Sequence, residues 1–222
     1  ISVMGPSGVK ASMPKTPGNI ILFLDYSQIG SGSYIAAAMK QQGHQVEIIV
    51  DIGKGQNIYA EEELIDSCDR LLFVTNSSVD YKLIEEKVDI FEGDMAGSLL
   101  KEHSFGIINL QSADMVVIKG VATFVAKVKN LRFGQLKSSF VRNPKTTALV
   151  LGPMNCMLKG ICAQCLQWQI DPITELRTKE VYACSWQDQP LEVIAVDHLL
   201  ERDKTKDNVV TRLNKMLQDS GI

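Results

Sequence analysis

The stretch NIILFLDYSQIGSGS, residues 19–33, carries the clearest fold pattern in this chain. Its apolar run, residues 20–24, has the length and composition of a strand that is buried on both faces. A Ser/Gly cluster follows at residues 30–33, and Ser33 is a candidate N-cap for a helix that continues to about Gln42. The stretch therefore predicts a strand, a loop and a helix, which is the first unit of an α/β fold.

The same alternation continues along the chain. Further buried strands are predicted at residues 46–50, 70–75, 115–118 and 147–151, with helices at 61–66, 122–131 and 209–217. Strands with continuous rather than alternating apolar residues favour a parallel sheet that is covered on both faces. Because crossovers between parallel strands are right-handed, we predict an α/β fold with a doubly wound parallel sheet, followed by a small Cys-rich module.

The composition excludes several classes of protein. The 222 residues contain 23 Lys plus Arg against 26 Asp plus Glu, a formal net charge of -3, which leaves no basic surface for nucleic acid. The longest apolar runs are far shorter than the roughly 20 residues of a membrane helix. No basic region precedes an apolar stretch as in an export signal, so the five cysteines indicate a reducing compartment. We expect a cytoplasmic protein without a membrane span.

Four of the cysteines form the most informative pattern, C-x5-C-x2-C-x18-C: they are Cys156, Cys162, Cys165 and Cys184. Two cysteines with two residues between them can converge within one turn, and the remote fourth follows a segment that resembles a hairpin. Three clustered cysteines plus a remote one are typical of a [2Fe-2S] ligand set. The pattern predicts such a cluster with these four ligands, tuned by the backbone of residues 159–161.

Two other interpretations of these cysteines stay open. A structural zinc site usually has two C-x2-C pairs, whereas only Cys162 and Cys165 form one here. Alternatively, all four are free cysteines that pack as small apolar residues. The fifth, Cys68, stands alone just before a predicted strand, and we expect it in the core.

Residues 152–165, GPMNCMLKGICAQC, and 182–193, YACSWQDQPLEV, carry a family resemblance. They resemble the C-terminal [2Fe-2S] module of the dihydroorotate dehydrogenase electron-transfer subunit family and of related ferredoxin-NADP reductase-like proteins. Upstream, residues 5–8 resemble the end of the flavin-binding barrel of these reductases, and residues 51–75 resemble part of their nicotinamide-binding domain. The resemblance implies a [2Fe-2S] cluster, with FAD held only in a missing region or a partner.

The predicted nucleotide site departs from that family. The family places a glycine-rich loop after the first strand, where backbone amides approach a pyrophosphate, but this chain has Asp25 to Gln28 there. The anionic Asp25 argues against NAD(P) binding. Gly30 and Gly32 could form a displaced loop or a plain structural turn, and Gly120 is what is left of a Cys-Gly-Pro phrase beside the nicotinamide. These three glycines are the candidate cofactor-binding residues.

The sequence thus predicts four segments: a remnant of a flavin-barrel-like region at 1–18, a nicotinamide-domain-like α/β domain at 19–152, a [2Fe-2S] module at 153–190, and a tail with a helix at 191–222. The expected function is the electron-transfer part of a flavin/iron-sulfur oxidoreductase, and the chain is expected to be a fragment or subunit of an NAD(P)H-dependent enzyme. Its partners would be a flavin-containing domain or subunit and an electron acceptor protein. The alternative is a non-catalytic interaction module with a degenerate nucleotide site and zinc-bound or free cysteines.

Overall fold

A computed structural model describes residues 13–53, 61–76, 86–100, 108–152 and 161–219 of the chain. Nine strands and five helices occur in these residues. The strands are β1 (Asn19–Asp25), β2 (Gln45–Gly53), β3 (Arg70–Thr75), β4 (Val88–Glu92), β5 (Met115–Val121), β6 (Lys145–Leu151), β7 (Leu166–Ile170), β8 (Arg177–Tyr182) and β9 (Gln189–Pro190). The helices are α1 (Ile29–Gln41), α2 (Glu61–Asp66), α3 (Met95–Leu100), α4 (Ala122–Phe133) and α5 (Val196–Asp219).

Seven strands form one sheet in the order β4-β3-β2-β1-β5-β6-β9. All neighbours in it are parallel except β6 and β9, which are antiparallel. From β1 the chain builds outward to β4 and then returns to place β5 on the other side of β1. The gap between the carboxyl ends of β1 and β5 is therefore the topological switch point, where open α/β sheets bind ligands.

The core lies on both faces of this sheet, as the apolar run of β1 predicts. All seven residues of β1 are buried. Ile21 and Phe23 pack in a cluster with residues of α4 and α5, whereas Ile20, Leu22 and Leu24 pack in a second cluster with residues of α1 and α2. The doubly wound parallel sheet predicted from the sequence is confirmed.

The predicted start of the first helix, after Ser33, is wrong. A 3-10 turn over Tyr26–Gln28 leads directly into α1, so Gly30, Gly32 and the predicted cap Ser33 lie inside the helix rather than in a loop before it. The physical reason is Asp25, whose carboxylate accepts the Ser27 N–H at 2.8 Å and starts the turn at Tyr26, directly after β1.

The remaining strands form a separate two-stranded antiparallel sheet, β7-β8, which is the hairpin expected between the last two cysteines. The helix predicted at residues 209–217 is the final part of the longer α5. No helix among the described residues has the length and hydrophobicity needed to cross a membrane. Residues 5–8, the expected remnant of a flavin barrel, lie outside the described residues.

Candidate functional site

The β7-β8 hairpin brings two of the predicted cysteine ligands together. Leu166 pairs with Tyr182 at its open end, and the Ala183 N–H donates to the Cys165 carbonyl at 3.1 Å. Cys165 and Cys184 are 2% and 0% exposed and form one small buried cluster with Ala183. Two cysteines with 18 residues between them thus pack in one cluster because the strands between them pair.

Cys162 lies three residues before Cys165 and is partly buried. Between them Ala163 has a φ of 58°, a left-handed conformation that turns the chain sharply just before β7. Cys156 and residues 159 and 160 lie outside the described residues. Within the described ranges, no group of three His, Cys, Asp or Glu side chains is arranged to hold a metal ion.

The donor chemistry still suits a sulfur-ligated centre. Neither Cys162 nor Cys165 is in a disulfide, and the hairpin end offers thiols from both sides of one turn. Cys68 is a useful contrast, because it is fully buried in the core beside β3 and donates to the Leu64 carbonyl at 3.3 Å. Burial raises the pKa of Cys68 to about 11, which keeps it as an inert thiol at neutral pH. Its predicted place in the core is confirmed.

A ladder of three buried glutamines joins the hairpin to the edge of the main sheet. Gln189 of β9 donates to Gln167 at 2.6 Å and accepts from Gln169 at 2.9 Å. Gln167 in turn donates to the Val150 carbonyl of β6 at 3.4 Å. Sequence reasoning missed this ladder, although the alternation in LQWQI, residues 166–170, is a signal for a strand whose Gln side chains face one way.

Helix α5 holds the other side of the hairpin. The His198 ring stacks on Trp168 with centroids 3.7 Å apart and an angle of 8°, and the Arg177 guanidinium lies 3.8 Å from the Trp168 ring. The Ala195 N–H donates to the Trp168 carbonyl at 3.1 Å, and Arg202 donates to the Leu166 carbonyl. The cysteine end of the hairpin is therefore fixed from two directions, by the glutamine ladder and by α5.

A separate crevice of about 420 Å³ lies at the switch point between β1 and β5. Its lining includes Asp25 and Tyr26 from the end of β1, Asp51 from the end of β2, and Phe124 and Lys127 from α4. The Asp25 carboxylate accepts the Val121 N–H at 2.6 Å, and Lys127 pairs with Asp51 at 2.7 Å. This is the position after the first strand where the sequence has Asp25 to Gln28 in place of a glycine-rich loop.

The three candidate glycines are not grouped around that crevice. Gly120 adjoins it, because a Cβ there would lie 2.6 Å from an oxygen of Asp25. Gly32 is buried against Leu24 inside α1, and a Cβ on Gly30 would meet no other atom within 4 Å. The displaced Gly30–Gly32 loop is therefore part of a helix, and an anion in the crevice would face the carboxylate of Asp25. The residues present do not suit a dinucleotide phosphate.

Comparison with known proteins adds a likeness of fold. No protein-family model matches the chain. An uncharacterised protein of Rickettsia prowazekii (strain Madrid E) is 31% identical over 93 residues, a match that covers 42% of this chain and 12% of that protein. A solved NADH-dependent reduced ferredoxin-NADP oxidoreductase, described for flavin-based electron bifurcation, is similar with a TM-score of 0.63 at 18% identity.

That structural match covers 91% of this chain and 62% of the solved chain, so this chain spans less than two thirds of either relative. At 18% identity the likeness establishes the fold. The chain has a doubly wound α/β sheet with a small antiparallel hairpin, a fold like that of the nicotinamide-binding region of ferredoxin-NADP reductases.

Proposed function

We propose that this chain is the electron-transfer part of a flavin/iron-sulfur oxidoreductase. In this proposal residues 153–190 hold a [2Fe-2S] cluster through Cys156, Cys162, Cys165 and Cys184, residues 19–152 form the supporting α/β domain, and residues 191–222 form the tail. The flavin is held by another domain or subunit, and the electron acceptor is a protein that docks near the cysteines.

The observation that carries the proposal is the meeting of Cys165 and Cys184 at the end of the β7-β8 hairpin. Both residues are buried, and among the described residues the cluster that they form has one further member, Ala183. Cys162 is three residues from Cys165, so the short spacing and the hairpin together offer sulfur ligands from both sides.

The likeness to a solved electron-bifurcating oxidoreductase supports the same proposal at the level of fold. Thiolate ligation of a [2Fe-2S] cluster supplies a one-electron carrier. The chain's own contribution is to position the ligands and limit water access: the glutamine ladder and the Trp168–His198 stack hold the hairpin, and burial of Cys165 and Cys184 shields the sulfurs.

The test is metal and sulfide analysis of chain that is expressed with iron and purified without oxygen. We expect about two iron and two acid-labile sulfide per chain, because that is the content of a [2Fe-2S] centre. One zinc per chain without sulfide would contradict the proposal and would favour the alternative, an interaction module with a structural metal.

A further inference from the structure

The Asp25 carboxylate is bonded as a bound anion would be at the switch point of this fold. One of its oxygens accepts the Ser27 N–H at 2.8 Å and also the Ser27 hydroxyl, and the other accepts the Val121 N–H at 2.6 Å. Val121 is the N-cap of the 12-residue helix α4, so its amide points outward at the positive end of the helix dipole. Asp25 itself is only 9% exposed.

The backbone of β5 allows the close approach of this carboxylate. A Cβ on Gly120 would lie 2.6 Å from the Asp25 Oδ2 and 2.4 Å from the Phe124 ring, so any larger residue would push the carboxylate away from the Val121 amide. The two interacting residues are 96 positions apart in sequence, yet Asp25 connects the loops that leave β1 and β5.

At the other end of the crevice the positive charge of Lys127 is neutralised by an ion pair. Lys127, a cation that could attract a phosphate, is engaged by Asp51 at 2.7 Å, and that carboxylate is largely buried. With Asp25, Asp51 and Lys127 together, the charged groups that line the crevice sum to a net negative charge. Its volume of about 420 Å³ lies within the usual range for small ligands, so charge rather than size excludes an anionic one.

We infer that Asp25 is a built-in anion that replaces the phosphate of a dinucleotide, so that this chain closes its own nucleotide crevice. The α/β domain then serves as a scaffold that connects β1 to β5 and needs no nucleotide to complete it. The inference concerns the sheet crevice alone and does not depend on what the cysteines bind.

The experiment is calorimetric titration of the 222-residue chain and of Asp25→Ala with inorganic pyrophosphate and with NADH. We expect no saturable binding to the wild type. Asp25→Ala frees the Val121 and Ser27 donors, and we expect it to bind pyrophosphate saturably, with a Kd at least about tenfold below the weakest Kd that the wild-type titration would detect, the equivalent of one charge-assisted hydrogen bond. Asp25→Ser, whose side chain is also too short to reach both loops, is measured in parallel. If the alanine variant does not fold, the serine variant provides the test.

The matched control is Asp171→Ala. Asp171 also accepts two backbone N–H groups and a hydroxyl, from Ile173 and Thr174, but it does so in an exposed turn away from the crevice. We expect this variant to gain no affinity for pyrophosphate. A low-micromolar Kd of the wild type for NADH or pyrophosphate would overturn the inference, and so would an Asp25 variant that folds and binds pyrophosphate no better than the wild type or the control.

Discussion

Two glycines illustrate how differently a single added methyl group should act. At Gly120 a Cβ would overlap both the Phe124 ring and the Asp25 carboxylate, whereas at Gly30, in the first turn of α1, nothing lies within 4 Å. We predict that Gly120→Ala lowers the free energy of unfolding by about 1–3 kcal/mol, the usual cost of overpacking. Gly30→Ala should raise it by about 0.5–1 kcal/mol, because alanine has the higher helix propensity.

Urea denaturation of the two variants beside the wild type measures both effects. Gly30→Ala is the control for the loss of glycine itself, since it makes the same change without a clash. A Gly120→Ala variant as stable as the wild type would show that the tight contact between β5 and Asp25 is not a feature of the folded protein.

A serine substitution should affect bound iron differently at the proposed ligands than at Cys68. We predict that Cys165→Ser and Cys184→Ser each remove most of the iron and visible absorption of anaerobically purified chain, because a neutral hydroxyl is a poor ligand for iron. Cys68→Ser should keep both, since Cys68 lies in the core away from the hairpin and serine can also donate to the Leu64 carbonyl. Equal iron content in all three variants would contradict the assignment of the ligands.

The stack of His198 on Trp168 should make stability depend on pH. Burial lowers the pKa of His198, the positive charges of Arg202 and Arg177 lower it further, and Glu201 acts in the opposite direction. The folded chain then binds the His198 proton less tightly than the unfolded chain does. The stabilisation is complete above the ordinary histidine pKa of about 6.5 and is lost as the pH falls below that value.

We therefore predict that His198→Phe, which keeps an aromatic ring on Trp168, loses less stability than the wild type between pH 7.5 and pH 5. The buried Nδ1 of His198 has no hydrogen-bond partner among the described residues, so protonation there gains no acceptor. Urea midpoints at the two pH values measure the difference. Parallel losses in both proteins would show that His198 contributes nothing to the pH dependence.

At the scale of elements, the docking of the β7-β8 hairpin depends on the glutamine ladder. Gln189→Leu would leave polar groups of Gln167 and Gln169 buried without partners, and we predict a loss of about 1–3 kcal/mol of unfolding free energy for each unsatisfied group. Gln164→Leu, in the exposed turn before β7, is the control and should change stability little. Denaturation curves that coincide for Gln189→Leu and the wild type would contradict this role.

The degree of burial of each strand explains which strands the sequence could predict. β1, β2, β3 and β5 are buried along most of their length and β6 in its middle, so their runs of apolar residues are easy to recognise. β4 is an edge strand with only partly buried or exposed residues, and β8 is mostly exposed. Their residues follow no burial pattern that the sequence would reveal, so β4 was not predicted and β8 was expected only as part of a hairpin without stated bounds.

At the scale of the whole molecule, the candidate site was harder to predict than the fold because it depends on distant contacts. The spacing of Cys162 and Cys165 is local and was visible, whereas the place of Cys184 beside Cys165 requires the hairpin to pair. Likewise, the sequence marked Asp25 as unsuited to a phosphate but gave no indication that its partner is the amide of Val121. Pairing across tens of residues follows from topology, not from any local pattern.

In the proposed function the cysteine end of the hairpin carries one electron at a time, which anaerobic reductive titration of iron-loaded chain measures. We predict that the visible absorption bleaches after about one electron per chain, at a potential within the range of roughly −700 to +450 mV that iron-sulfur centres span. A chain that holds its metal but takes up no electrons from a reductant at the bottom of that range would rule out electron transfer through these cysteines.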